Sequence, residues 1–339
     1  MMNISIKKLI FSSIKICLIL FVIFTISSCV SNAASAEECY SMGMAYFELG
    51  KYAEAERWLQ RATAADKTIT ASEYNLGRIA FETGRFDEAA KYFNSILTKD
   101  PGNVMALKAL AFTKIRIGDL EEAESLYNKV LTAVPENADD GYNYALVLFA
   151  LKKYQESEEV LLKYPYTLDE KPDSLLLLAR AQDAGNKVEA VDTYAKWIAG
   201  STSDNPKVLH EYGKVLEKAE LYAKALEEYR ASLAAMKEDL ANLKKSEIRF
   251  DISRILLIAD PGNPDGILEL DAAVKEGFNN KEALEALLGD DRIDANTLND
   301  IRRITENIVY PGEDTEAGAK DPNTGSEDSE ENSNSGDIT

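Results

Sequence analysis

The chain runs to 339 residues, 45% of them apolar, and carries a formal net charge of -20. That length and apolar share suffice for a large buried core, in two or three domains or one elongated array. So acidic a molecule repels polyanions, which argues against nucleic acid and bare anionic lipid as partners.

In chain order, residues 1–28 read as a targeting segment. Lys7, Lys8 and Lys15 make a basic start, and "ICLILFVIFTISS" (16–28) is an uncharged run of 13 residues. That is the length of a secretory apolar region and short of the roughly 20 apolar residues a membrane span needs. Ile26-Ser27-Ser28-Cys29 resembles the lipobox of bacterial lipoproteins. The resemblance implies cleavage before Cys29 and diacylation of its sulfur, a palmitate-type anchor with lasting membrane attachment. Residues 29–35 then form a lipidated tether reaching at most about 25 Å, which keeps the body close to the membrane. With Cys17 in the signal and Cys29 lipidated, Cys39 is left without a disulfide partner and reads as a small core residue.

Written in rows of 34 from Ala36, the chain aligns six times, over 36–69, 70–103, 104–137, 138–171, 172–205 and 206–239. The eighth place is always small: Gly43, Gly77, Ala111, Ala145, Ala179 and Gly213. The twentieth is Ala55, Ala89, Ala123, Ser157, Val191 and Ala225, and the seventeenth Tyr52, Phe86, Leu120, Tyr154, Val188 and Tyr222. Glycine closes the first helix at Gly50, Gly84 and Gly118, and Pro101 and Pro135 end two rows. Small residues at places eight and twenty let two antiparallel helices approach, and the ring at seventeen fills the wedge between one hairpin and the next. These residues, above all "YNLGRIAFETGRFDEAAKYFNSILTKDPGN" (74–103), resemble the tetratricopeptide repeat. The resemblance implies an all-α fold, a right-handed α-α superhelix of six repeats over 36–239.

Row five departs from the pattern: Gly185, Ala190 and Tyr194 sit one place early, which predicts an inter-helix turn one residue short and a candidate flexible joint at 199–206. Row four has Lys152 where the turn glycine belongs, and Pro165 predicts an early end to its second helix. Past row six, 219–247 reads as a lengthened helix and 248–278 as a degenerate hairpin with a turn swollen by "DPGNPDG". Two short amphipathic helices follow over 280–309, so 240–310 is expected to cap the array. The tail, 311–339, holds nine acids against Lys320 and almost no large apolar residue, the composition of a disordered segment.

Catalytic chemistry finds little support. There is one histidine, His210, and no phosphate loop, nucleophile elbow or cluster of metal-ligand spacing, so neither a cofactor nor a metal is expected. Most acids, Glu88, Glu121, Glu122 and Glu228 among them, fall at helix-surface places.

Binding is better grounded. The resemblance implies that first helices line a concave groove with places two, five, six, nine, twelve and thirteen turned toward it. Place five is Tyr40, Tyr74, Lys108 and Tyr142, and place twelve is Phe47, Phe81, Ile115 and Phe149. Place nine is Met44, Arg78, Phe112 and Leu146, and place six includes Asn75 and Asn143. Either the rings line the groove or they pack between neighbouring helices. Lys108, Asn143 and Arg180 match three of the five places at which some family members grip a terminal carboxylate, and a partial clamp would set Lys108 and Arg78 near Asn75 and Asn143. The expected function is a non-enzymatic, lipid-anchored scaffold in the cell envelope, on the inner or outer membrane, binding a peptide or helix of another envelope or membrane protein. The alternative is a transporter accessory enclosing a small apolar molecule.

Overall fold

The computed structural model describes residues 34–164, 171–201, 204–306, 308 and 310. The expected signal segment, the expected lipidation site Cys29, most of the expected tether and the acidic tail lie outside the described residues. Among those described there are sixteen α-helices and no strand, and no helix is long and apolar enough to cross a membrane. The chain divides into two compact units, the first ending at Ser201 and the second beginning at Thr202.

The first unit is five hairpins: α1 (Ala36–Glu48) with α2 (Tyr52–Ala65), α3 (Thr70–Glu82) with α4 (Phe86–Lys99), α5 (Val104–Ile117) with α6 (Leu120–Ala133), α7 (Ala138–Ala150) with α8 (Tyr154–Lys163), and α9 (Pro172–Ala184) with α10 (Ala190–Gly200). Each second helix also packs on the first helix of the next hairpin, which makes this unit an all-α solenoid. The small places are the points of closest approach. A Cβ on Gly77 would stand 2.6 Å from Phe93 Cε1, and one on Gly43 would stand 2.7 Å from Leu59 Cγ. Ala55, Ala89, Ala111, Ala123 and Ala145 are wholly buried. The rings at seventeen pair with place twelve of their own hairpin: Phe47 with Tyr52 at 5.6 Å, Phe81 with Phe86 at 5.4 Å and Phe149 with Tyr154 at 5.3 Å between centroids.

The turns keep the 34-residue step further than the glycines do. Left-handed backbone recurs at Gly50, Gly84, Gly118, Lys152 and Asn186 in this unit. Row five therefore does not have the short turn expected of it. Asn186, not Gly185, takes the left-handed position in step, and the register slips only afterwards, where residues 188 and 189 form a turn ahead of α10. Ala190 and Tyr194 are then buried, each one place early. In row four α8 stops at Lys163, and the Tyr164 ring fills the space beside Gly141, where a Cβ would meet Cδ2 at 2.4 Å. The Tyr164 hydroxyl donates to the Pro135 carbonyl.

The second unit opens with a sixth hairpin, α11 (Pro206–Lys218) and α12 (Tyr222–Ala235), in which Gly213 faces Tyr229 and Glu220 takes the left-handed turn position. The lengthened helix expected over 219–247 does not form. By Ala235, α12 already matches α11 in length, and turning the chain there buries both Met236 and Leu243. Asp239 Oδ1 accepts from the Lys245 amide at 2.9 Å, tying the loop to the start of α13 (Lys245–Ala259). The α13 to α14 (Pro264–Lys275) connection is Asp260-Pro261-Gly262-Asn263, the same four residues as 100–103. In both, the asparagine amide donates to the aspartate, at 3.2 Å and 3.3 Å, and its oxygen caps the next helix. It is an ordinary turn rather than a swollen one. Two short helices, α15 (Lys281–Leu288) and α16 (Ala295–Thr305), close a core with Phe250, Leu257, Leu270, Phe278 and Leu284.

Candidate binding surfaces

On α1 and α3 most of the expected groove residues hold one another. The half-buried Tyr40 hydroxyl accepts from Asn75 Nδ2 at 3.4 Å, and the same nitrogen donates to the Ala71 carbonyl at 2.9 Å. Asn75 Oδ1 accepts from Arg78 at 3.1 Å, and the Arg78 guanidinium lies 4.5 Å from the centroid of the Phe47 ring. Asn75 is itself buried, so it presents no open amide. Met44 is half-buried. The Tyr74 ring packs 5.6 Å from Phe93, and Phe81 sits between Phe86 and Phe112.

Further along, Lys108 Nζ stands 2.8 Å from Asp140 Oδ1, and Asp140 is 1% exposed. The approach neutralises the carboxylate without an aligned hydrogen bond to either oxygen. The partial carboxylate clamp is therefore not assembled: Lys108 already serves a buried acid, and Asn75 is buried and engaged. Asn143 and Arg180 are half-buried, and Arg180 interacts within the chain. Lys171 lies over the Tyr142 ring, and burial, with the nearby Asp173 charge, raises that phenol above its ordinary value.

What stays open is narrower than the sequence suggests. Phe112 and Leu146, at place nine of α5 and α7, are 48% and 39% exposed, and Met105, at place two of α5, is 61% exposed. Met105 is the residue that sequence reasoning passed over. Its signal was its place in the row.

A second concavity, of about 610 Å³, lies within the second unit, walled by α11, α13 and the α14–α15 connection. One wall is a chain of charges. Arg254 bonds both oxygens of Glu217 and reaches Asp251 Oδ1 at 3.1 Å, and His210 Nε2 stands 2.8 Å from Asp251 Oδ2. Burial would raise the Asp251 carboxyl, but the His210 hydrogen bond and the Lys214 and Arg254 charges outweigh it and hold the group below the usual carboxylate range. His210, the single histidine of the chain, is buried here. Asp251 and Arg254, one turn apart on α13, lay beyond the regular rows.

Two family models, both described as tetratricopeptide repeat, match residues 40–104 and 80–139. The chain carries tetratricopeptide repeats. A tetratricopeptide repeat protein from Parabacteroides merdae superposes with a TM-score of 0.50 at 20% identity, covering 74% of this chain and 96% of that one. PilF of Pseudomonas aeruginosa does so with 0.48 at 19% identity, over 64% of this chain and 95% of its own. YrrB, a repeat protein described with an unusual peptide-binding site, gives 0.48 at 16% identity, over 52% and 92%. At 20% identity the likeness to the Parabacteroides merdae protein is one of fold. No curated protein matches the chain.

Proposed function

We propose that this chain is a lipid-anchored scaffold of the bacterial cell envelope that holds an apolar peptide or helix of another envelope protein along α5 and α7. Tetratricopeptide-repeat proteins bind partner proteins or peptides, and the family is generally non-enzymatic. One observation carries the choice of surface. Met105, Phe112 and Leu146 remain exposed on consecutive first helices, while the neighbouring rings and charges are committed inside the protein. Burying large apolar side chains of this kind under a partner is worth about 1.5–3 kcal/mol each when complete. The alternative, an enclosure for a small apolar molecule, is not supported by the cavity of the second unit, whose wall is charged.

The surface is tested by crosslinking in intact cells followed by mass spectrometry. Phe112→Glu with Leu146→Glu is expected to abolish the crosslinked envelope partner with helicity unchanged, and recovery of the same partner with the double variant overturns the assignment. The anchor is tested separately: Cys29→Ala is expected to lose fatty-acid labelling and membrane retention, and a labelled band of undiminished intensity refutes it.

A further inference from the structure

We infer that the cavity of the second unit is a binding site for a small organic monocarboxylate with an apolar body. The inference is independent of the scaffold reading, because it uses other residues in the other unit.

The volume, about 610 Å³, falls among ligand pockets of ordinary size. Its charge is unlike the rest of this acidic chain. Lys214, Lys218, Lys244 and Arg254 line it against Glu217, Glu247 and Asp251. Arg254 is spent on Glu217 and Asp251, and Glu247 accepts from the Lys244 amide at the start of α13. Lys214 and Lys244 are exposed and form no ion pair with any described side chain. Two available ammonium groups at a mouth whose carboxylates are already engaged invite an anion. The small net excess of positive charge suits a single negative charge, since a phosphate dianion would meet the field of three nearby carboxylates.

Two further features point to a ligand. Ser246, 2% exposed, lines the cavity, and its hydroxyl has no partner in the protein. Natural structures seldom leave such a group unpaired, so a bound oxygen or water is its expected complement. The half-buried Tyr222 and the exposed edges of the stacked Phe250 and Phe278 rings, 4% and 6% exposed, supply an apolar side against which a ligand body can rest. A carboxylate between Lys214 and Lys244 with an aryl or alkyl group against these rings uses each of these features.

The test is fluorine NMR of 4-fluorophenylacetate added to the full chain. Saturable binding is expected, and it should weaken at least tenfold for the neutral amide, 4-fluorophenylacetamide, and at least tenfold for Lys214→Gln with Lys244→Gln. Both lysines are exposed, so the double variant should keep its circular dichroism and a cooperative melting transition, lowered only by the loss of the Lys214 charge near Asp251. Phe112→Glu with Leu146→Glu, in the other unit, should bind the probe like the parent. Absence of saturable binding at millimolar probe, equal binding of acid and amide, unchanged binding by the lysine variant, or displacement by equimolar inorganic phosphate would each overturn the inference.

Discussion

Lys108 and Asp140 show how one contact changes the meaning of a residue. Read along α5, Lys108 is a groove cation; in three dimensions it neutralises a carboxylate that is 1% exposed. Lys108→Ala strands that charge and is expected to cost on the order of 2–3 kcal/mol, below the full figure for a buried pair because the lysine is itself partly exposed. Adding Asp140→Asn should restore part of the loss, and a double-mutant cycle in urea measures it. Asp251 makes the corresponding case in the second unit. Its folded pKa is depressed by His210, Lys214 and Arg254 against the effect of burial. Its contribution to stability is therefore fully present above its unfolded value, near about 3.9, and is lost as pH falls through the lower folded value. Asp251→Asn should be less stable than the parent at pH 7, and the gap should narrow as urea melts are taken from about pH 5 toward pH 2.

At the scale of the element, the turns are more regular than the letters that make them. Left-handed backbone falls at Lys152 (φ 61°) and Glu220 (φ 60°) just as it does at Gly84 (φ 77°). A side chain there strains against its own carbonyl by about 1–2 kcal/mol, a cost glycine avoids. Lys152→Gly and Glu220→Gly are each expected to stabilise the protein by roughly 1 kcal/mol, less than the full strain because glycine also loosens the unfolded chain. Thermal melts would show this as a rise of a few degrees, and a fall would mean that the lysine or glutamate side chain is itself held. The pattern of small and aromatic places was legible because helix contact imposes it at a constant interval. The slip in row five was legible only in part, since Ala190 and Tyr194 signalled it while Gly185 pointed to the wrong turn. The end of α12 at Ala235 was not legible, for no glycine or proline marks it and the Asp239–Lys245 bond that turns the chain spans six residues.

For the molecule as a whole, the division at Ser201 and Thr202 has a measurable consequence. Gly77 belongs to the first unit and Gly213 to the second, and each faces a ring at a distance that excludes a Cβ, 2.6 Å from Phe93 and 2.5 Å from Tyr229. Gly77→Ala and Gly213→Ala should each cost about 1–3 kcal/mol of overpacking. Followed by hydrogen exchange, each loss should be confined to the unit that carries it; equal loosening of both units by either variant would show one cooperative block. The sequence by itself determined the repeat, its hairpins and the small places where helices touch. These follow from contacts between neighbours in the chain, so a 34-residue interval records them. Only the tertiary structure decided which groove residues remain open. Whether Asn75, Lys108 or His210 is free depends on Tyr40, Asp140 and Asp251, which stand 35, 32 and 41 residues away in the chain. The row pattern records backbone packing at each place, but it does not specify the polar partner that a neighbouring helix brings there.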